Sequence, residues 1–474
     1  MRANRLVVEL FSLAILSGCL VACSKPTKKV NMQTLQAMKL NKENKANLFE
    51  DDDYDAMIDE KKGIKIDLSD ISNVKGKNVS VSGNVLTISS GGTYILTGRL
   101  EEGQIVVNAK NSDKVRIVLN GVNLSSSTNT PIFIKNSKKT IITLASESEN
   151  VLALKGSIDE TENNKNSVIF SKSDLSFNGT GVLNLSSLYG RGIISQDKIV
   201  FVDGKYAIDT ATDSVNSNSS VAIAGGKYKI KAGEKGNGLK VSHNTDKDKG
   251  CVYISSGKFD ISAGEDGIKS NSSVTIASGE LDIKSGDDGI ESKRIDIKGG
   301  NTQVVSKSDG IKAKSKKGAN ADLYIKISGG NVNILADKKG LDSEGDIFIA
   351  GGETFVEGSQ NSESLAMGYD GTASITGGKF IATGNDLMVK SFGELSTQGS
   401  VLMSFSKETK EELKVLDKMR KVIAKYKPKR AYKNVIVSVN DMKLGQTYKL
   451  MAGSEVLNIT LDKINYGSAK LVEK

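Results

Sequence analysis

The stretch Gly279-Glu280-Leu281-Asp282-Ile283 decides the fold, because the chain repeats its pattern at a nearly constant spacing. Equivalent units also open with a glycine, at Gly204, Gly226, Gly257, Gly300, Gly330, Gly352 and Gly378. Most intervals between these glycines are 21 or 22 residues, and polar insertions at 242–250, 314–320 and 359–364 account for the longer ones. A repeat of this length predicts a solenoid, in which each unit stacks on the next.

Apolar and polar residues alternate within each unit, as in Ile295-Asp296-Ile297-Lys298. Alternation of period two indicates strands with one buried face. The unit that opens at Gly279 divides into three such strands, at 279–285, 286–292 and 293–299. Three short strands in 21–22 residues predict one coil of a single-stranded parallel β-helix, in which equivalent strands of neighbouring coils pair. Tandem β-sandwich modules are the alternative fold.

The composition agrees with this architecture and excludes several others. The 474 residues include 48 Gly, 3 Pro and no Trp, and 38% of them are hydrophobic. Abundant glycine with almost no proline and no three-residue period excludes collagen and proline-rich disorder. Strand alternation continues upstream of the repeat, for example in Val79–Ile88, so the predicted coil domain spans residues 63–406.

The formal net charge of +9 is concentrated near the C-terminus. Between residues 407 and 433 there are eleven Lys or Arg and only four acidic residues, whereas the coil domain is close to neutral. We therefore expect no nucleic-acid partner, because nucleic-acid-binding proteins carry a basic patch or stripe on the folded domain.

The same basic segment has the pattern of an amphipathic helix. Thr409-Lys410-Glu411-Glu412 resembles a capping box. The apolar residues that follow fall on one helical face; they are Val415, Leu416, Met419, Val422, Ile423 and Tyr426. We predict that segment 407–433 is a helix that caps the coils or docks on a membrane or partner. Closing strands Val435–Val439 and Val456–Leu461 are predicted within 434–474.

The N-terminus has the pattern of a lipoprotein signal peptide. Two arginines in Met1–Arg5 precede the apolar run Leu10–Val21, which is too short for a permanent membrane span. Cys23 is the predicted lipidated residue, with Cys19 as the alternative. Residues 1–22 would then be removed, and 23–62 would form a tether or a small ordered piece packed on the body. This predicts an extracytoplasmic, membrane-anchored lipoprotein at a bacterial cell surface.

One corner of the repeat carries carboxylates at constant positions. Asp266, Asp288 and Asp309 each precede Gly-Ile, and Glu265 and Asp287 stand beside the first two. Neighbouring coils lie about 4.8 Å apart, so these residues should form a ladder. Two interpretations remain open. Asp-Gly suits tight turns, and clustered hard oxygens suit Ca²⁺.

Several motifs resemble the surface carbohydrate-binding domain first recognised in clostridial lipoproteins. They are Gln104-Ile105-Val106-Val107, Val118-Leu119-Asn120-Gly121-Val122, Ile169-Phe170-Ser171-Lys172-Ser173-Asp174-Leu175, the Asp-Gly-Ile corners and Leu444-Gly445-Gln446-Thr447-Tyr448. The resemblance implies a right-handed parallel β-helix similar to pectate lyases, with Ca²⁺ at Asp266, Asp288 and Asp309. It also implies binding of cellulose and acidic sugars without established cleavage. Two residues depart from the pattern. Arg191 stands where the family often has Asp, and Asn237 replaces the Asp of the intact corners one coil before them.

The resulting expectation is a monomeric, calcium-associated protein that binds an acidic or cellulosic polysaccharide. Lys240, Lys269 and Lys312 lie on or near the acidic corner, where they would pair with sugar carboxylates or simply maintain solubility. A polysaccharide lyase is one alternative, in which Ca²⁺ acidifies a proton and Lys269 or Lys312 removes it. A non-catalytic adhesin or scaffold is the other. Buried rung-to-rung packing is the expected role of Tyr206, Tyr228 and Phe259.

Overall fold

The structure is a computed structural model, and it describes residues 48–59, 61–161, 165–242, 250–315, 322–359, 365–385 and 390–467. Contacts divide the chain into two units, Met1–Ala46 and Asn47–Lys474. The first unit, with the predicted signal peptide and Cys23, lies outside the described residues. In the described ranges, none of the helices has the length and apolar composition that a bilayer crossing requires.

The chain upstream of the repeat forms strands and two short 3-10 helices, Asp51–Asp53 and Leu68–Asn73. The strands of this region are β1 (Ile64–Asp67), β2 (Val79–Ser82), β3 (Val85–Ile88), β4 (Gly92–Leu100), β5 (Gln104–Asn108), β6 (Lys114–Ser126), β7 (Ile132–Asn136), β8 (Lys139–Leu144), β9 (Glu149–Leu154), β10 (Ser167–Ser171), β11 (Asp174–Gly179), β12 (Val182–Ser187), β13 (Arg191–Ser195) and β14 (Ile199–Phe201).

The repeat region forms regular coils of three strands each. Its strands are β15 (Lys205–Thr210), β16 (Val215–Ser217), β17 (Ser220–Ile223), β18 (Lys227–Ala232), β19 (Leu239–Val241), β20 (Cys251–Ile254), β21 (Lys258–Ala263), β22 (Ile268–Ser270), β23 (Ser273–Ile276), β24 (Glu280–Ser285), β25 (Ile290–Ser292), β26 (Arg294–Ile297), β27 (Asn301–Ser306), β28 (Ile311–Ala313), β29 (Tyr324–Ile327), β30 (Asn331–Ala336), β31 (Leu341–Ser343), β32 (Asp346–Ile349), β33 (Glu353–Glu357), β34 (Met367–Tyr369), β35 (Ala373–Ile375) and β36 (Lys379–Gly384).

Each strand of a coil pairs in parallel with the equivalent strand of the next coil. Lys258 of β21 pairs with Glu280 of β24, which pairs with Asn301 of β27, at spacings of 22 and 21 residues. The middle strands form a sheet of their own that runs from β2 to β34, and the first and third strands belong to a second, larger sheet. The molecule is therefore nearly all β with long parallel sheets, in the manner of a β-helix. The hand of the coil stays a prediction.

Stacked apolar columns fill the interior of the coils. Ile268, Ile290 and Ile311 occupy equivalent places on successive coils and are completely buried. The predicted aromatic stack is confirmed: the rings of Tyr206 and Tyr228 lie 5.0 Å apart and nearly parallel, and those of Tyr228 and Phe259 lie 4.6 Å apart. Burial of these side chains supplies the main stabilisation of the coils.

The predicted amphipathic helix in 407–433 is wrong, because this segment forms strands. The C-terminal strands are β37 (Ser400–Thr409), β38 (Leu413–Leu416), β39 (Val422–Tyr426), β40 (Tyr432–Ser438), β41 (Thr447–Ala452), β42 (Glu455–Thr460) and β43 (Asn465–Tyr466). Leu413 and Val415 are buried on one face of β38, and β38 pairs with both β39 and β41. The predicted closing strands are present as β40 and β42. Strand β40 pairs with β36 and so covers the last edge of the coils.

Residues 48–59 are packed on the coil domain, which favours the ordered alternative for this part of the predicted tether. We call this segment the N-terminal strap. Its acidic residues contact Lys139 of β8, whose side chain is almost fully buried. Leu48, Phe49 and Tyr54 pack against an apolar patch on β14 and β17 and the residues that follow them.

Candidate functional site

The Asp-Gly corners stack into a column at the turn that precedes each middle strand. We call this the corner column; its residues are Arg191, Asp213, Asn237, Asp266, Asp288, Asp309 and Lys339. The residue that follows each member donates its backbone N–H to the carbonyl of the next member of the column. For example, Gly267, which follows Asp266, donates its N–H to the carbonyl of Asp288 at 3.2 Å. The predicted ladder of Asp266, Asp288 and Asp309 is therefore present, with cationic residues at both ends.

One oxygen of each aspartate side chain is used to join two coils. The backbone N–H of Asp288 donates to Asp266 Oδ1 at 3.0 Å, and that of Asp309 donates to Asp288 Oδ1 at 2.9 Å. Lys339 N–H closes the series on Asp309 Oδ1 at 2.9 Å. Because a buried N–H without an acceptor is costly, the aspartates have a structural task in addition to any ligand role.

The other carboxylate oxygens face a row of charged side chains on the middle strands. We call it the charged row; Lys240, Lys269, Glu291, Lys312 and Asp342 form it, in register on successive coils. Lys240 Nζ lies 3.1 Å from Asp213 Oδ2. Lys269 and Lys312 make the same contact with the aspartates three residues before them. The structure thus brings all three predicted lysines to the acidic corner.

Glu291 is a member of this row that the sequence analysis missed. Its side chain is buried between coils, and its Oε1 and Oε2 lie 3.3 Å from Lys269 Nζ and 2.7 Å from Lys314 Nζ. The signal was present in the sequence, because Asp-Gly-Ile is followed by Glu in this coil and by Lys in the coils on either side. Positive and negative groups consequently alternate from Lys269 through Glu291 and Lys312 to Asp342.

This charged surface lies within a segment that matches a known family. A family model described as carbohydrate-binding domain-containing protein matches residues 82–294 and 265–404. The chain belongs to this family. A protein of Acetivibrio thermocellus with the same description is 30% identical over 139 residues, which are 29% of this chain and 48% of that protein. The match therefore spans about half the length of this relative.

The carbohydrate-binding family member also resembles a solved structure. That structure is described as "Structure of the polysaccharide lyase-like protein from C. thermocellum, Gadolinium derivative". The two chains are 28% identical, with a TM-score of 0.43, and the match covers 52% of this chain and 96% of the other.

The pKa shifts at the corner argue against Lys269 and Lys312 as catalytic bases. Burial raises the pKa of Asp266 to about 6 even though Lys269 is beside it. Burial alone would lower the pKa values of Lys269 and Lys312, but the neighbouring carboxylates outweigh it and raise both. A catalytic lysine that removes a proton needs a lowered pKa, whereas the raised pKa values favour the cationic form of these two side chains.

The predicted calcium ligands are only partly brought together. Asp266, Asp287 and Asp288 each offer an oxygen within 4.8 Å of the others, and they form the group of this kind found among the described residues. Glu265 and Asp309 fall outside it, and Asp309 contacts Lys312. Carboxylate oxygens are the ligands that Ca²⁺ prefers, so the three-residue group fits the ion chemically. Lys269 competes for one oxygen of Asp266.

Proposed function

We propose that this protein binds polysaccharide along the corner column and the charged row. Its membership of the carbohydrate-binding family carries the proposal, because the matched residues 82–404 contain both features. The binding face would run along the coil axis, so successive coils would meet successive parts of a polymer.

The physical support is a rigid array of hydrogen-bonding groups at coil spacing. Strand pairing holds the charged row about 4.8 Å apart from coil to coil. The side chains of Lys240, Lys269 and Lys312 remain partly exposed beside the carboxylates that orient them. Such pre-organised donors bind hydroxyl or carboxylate groups without a large entropic cost. The proposed ligand is an acidic or cellulosic polysaccharide.

We further propose that Asp266, Asp287 and Asp288 hold Ca²⁺. When bound, the ion would supply a positive charge that bridges the carboxylates to anionic groups of a sugar. Lys269 would turn away from Asp266 toward Glu291, which already lies 3.3 Å from its Nζ. Asp287 is the half-buried member of the group, whereas Asp266 and Asp288 are buried.

Anchoring through a lipid on Cys23 is part of the proposal for localisation. The protein would sit outside the cytoplasm, with the lipid as its only membrane contact and with the coils presented as a monomer to the polysaccharide. No nucleic-acid partner is proposed, because the basic excess is confined to 407–433.

Affinity electrophoresis of the purified chain in gels containing cellulosic or uronate polysaccharides tests the function. We expect the polysaccharide to retard the wild type. Lys269→Gln should bind it with about tenfold lower affinity, because a charge-assisted hydrogen bond is lost. Lys258→Gln is the matched control, since Lys258 makes an exposed ion pair on another strand of the same coil. Equal migration with and without every polysaccharide contradicts the proposal and favours a scaffold. Ultraviolet absorbance from an unsaturated product would instead reveal a lyase.

Calcium titration by calorimetry tests the metal site separately. We expect binding that weakens tenfold or more in Asp287→Asn, because one of three carboxylate charges is removed. Asp282→Asn is the control, as Asp282 lies on the same coil but faces Lys284. Identical titrations for the wild type and Asp287→Asn would exclude calcium from this group.

A further inference from the structure

Tyr189 carries an aromatic ring that the fold leaves open to solvent. Its residue is 58% exposed, and its neighbour Leu188 is 65% exposed. Within the described ranges, Tyr189 is the one aromatic residue among the exposed large apolar side chains. Tyr206 and Tyr228, in contrast, are buried in the aromatic stack. Leu188 and Tyr189 are thus two consecutive exposed apolar residues.

The ring borders a cleft at the first end of the corner column. The cleft has a volume of about 300 Å³ and is lined by Glu160, Asn166, Tyr189, Arg191, Asp213 and neighbouring backbone. We call it the Tyr189 cleft. Because Arg191 and Asp213 belong to both the cleft and the corner column, a ligand in the cleft would lie in line with the proposed binding face. Its volume is at the lower end of the range for small-ligand sites.

The turn that presents Tyr189 is fixed by hydrogen bonds. Asn166 Nδ2 donates to the carbonyl of Tyr189 at 3.2 Å, and Arg191 N–H donates to the carbonyl of Asn166 at 2.8 Å. Between them, Gly190 N–H donates to the buried Ser187 Oγ at 3.0 Å. The ring therefore stands on a rigid support, which limits the entropy lost when a ligand packs on it.

The charged groups of the cleft indicate what kind of ligand it takes. Arg191 contacts the carboxylate of Glu160, which Lys165 also approaches to 3.5 Å. The second carboxylate, Asp213, already accepts from Asn237 and Lys240. Arginine binds planar carboxylates through two parallel hydrogen bonds. Glu160 is partly exposed and so occupies a place that a ligand carboxylate could take.

We propose that the Tyr189 cleft binds one sugar residue that carries a carboxylate. The apolar face of the pyranose ring packs on Tyr189, and the carboxylate replaces Glu160 at Arg191. The inference rests on the proposed polysaccharide binding and adds to it a terminal subsite and a preference for a uronate at that position.

Calorimetric titration of the full chain with trigalacturonate tests the subsite, with its methyl ester as the neutral control ligand. We expect Tyr189→Ala to bind the acid about tenfold more weakly, while Tyr189→Phe binds as the wild type does. Arg191→Gln should lose the preference for the acid over the ester. Glu160→Gln should bind the acid severalfold more tightly, because the competing carboxylate is gone. Leu444→Ala, an exposed apolar residue of the C-terminal strands, is the control variant.

The outcomes separate the subsite from the general function. Tighter binding by Glu160→Gln supports the replacement of Glu160 by the ligand carboxylate at Arg191. Loss of a merely structural ion pair would not strengthen ligand binding. If Tyr189→Ala and Arg191→Gln bind the acid as the wild type does, the subsite is overturned and polysaccharide binding stands. If the wild type binds neither trimer but is retarded by polysaccharide gels, the subsite is likewise overturned. Failure in both assays contradicts the subsite and the proposed function together.

Discussion

Each aspartate of the corner column uses its two side-chain oxygens differently. Oδ1 accepts a backbone N–H of the next coil, and Oδ2 faces a lysine of the charged row. Asn237, which occupies the same column, shows that the first task does not need a charge, because its Oδ1 accepts from Asp266 N–H at 3.3 Å. The negative charge is therefore available for ion pairing, a metal or a ligand.

The buried charge of Asp266 should make stability depend on pH. Burial raises its pKa from 3.8 to about 6 in the folded state, so the folded chain binds more protons between these values and loses stability as pH rises through them. The contribution is about 3 kcal/mol at most. We expect Asp266→Asn, which keeps the Oδ1 acceptor, to be more stable relative to the wild type at pH 7 than at pH 4. Urea unfolding at both pH values measures this, and an equal difference at both would refute it.

The glycine after each of Asp266, Asp288 and Asp309 is required by close packing. A Cβ on Gly289 would lie 2.5 Å from the carbonyl oxygen of Gly310 and 2.2 Å from Val304 Cγ1. Gly289→Ala should therefore destabilise the chain by roughly 1–3 kcal/mol, as overpacking does. Gly393→Ala is the control, because its Cβ would meet only an oxygen at 3.4 Å. Thermal melting of both variants tests this expectation, which fails if they melt together.

At the scale of elements, the N-terminal strap is held by a buried ionic cluster. Lys139 Nζ lies 2.5 Å from Asp53 Oδ1, 2.8 Å from Asp52 Oδ1 and 3.4 Å from Glu50 Oε2. Burial alone would raise the pKa of Asp52, but its hydrogen bonds with Lys114 and Lys139 lower it to about 2. The contacts of Asp52 with these lysines therefore stabilise the folded chain above pH 4, and this stabilisation is lost as pH falls toward 2.

Removing the central cation should release the strap. Lys139→Met leaves Asp53 buried without its cation, and such a loss typically costs about 3–5 kcal/mol. A protease that cleaves after aromatic residues should then cut at Phe49 and Tyr54, which are packed against the coil domain in the native chain. Lys114→Met should have a smaller effect, since Lys114 is more exposed and its ion pair in the cluster is with Asp52. Resistance of Lys139→Met equal to that of the wild type would show that Lys139 does not hold the strap.

The elements that the sequence predicted correctly are those specified by local, repeated patterns. The three strands expected after Gly279 correspond to β24, β25 and β26, because alternation within one unit determines which side chains face inward. The segment 407–433 is different. Its apolar residues suit one helical face or two short strands, and pairing of β38 with the distant β41 decides between them. A single-sequence pattern does not contain that long-range contact.

The candidate site was predictable only in part, for a similar reason. Equivalent spacing placed Asp266, Asp288 and Asp309 in one column. The spacing did not reveal that lysines three residues later turn back onto their carboxylates, or that Glu291 separates two of those lysines. It also gave no indication that Glu265 and Asp309 lie outside the oxygen cluster of Asp266, Asp287 and Asp288. Side-chain direction at a corner depends on the packing of the adjacent coils.

At the scale of the whole molecule, we propose one extended binding face on the coil domain. The Tyr189 cleft stands at one end, and the corner column and charged row continue from it across successive coils to Lys339 and Asp342. The basic C-terminal strands cover the last edge of the coils. Polysaccharide binding, calcium and the uronate subsite are therefore expected on a single surface.

A crystal structure of the full chain with a bound uronate oligosaccharide and calcium would show whether this single surface binds both. We expect a sugar ring on Tyr189, a carboxylate at Arg191 and further sugar residues along Lys240 and Lys269. Calcium should lie between Asp266, Asp287 and Asp288. An oligosaccharide bound on another face, such as the exposed strand surface that carries Lys231 and Lys258, would contradict it.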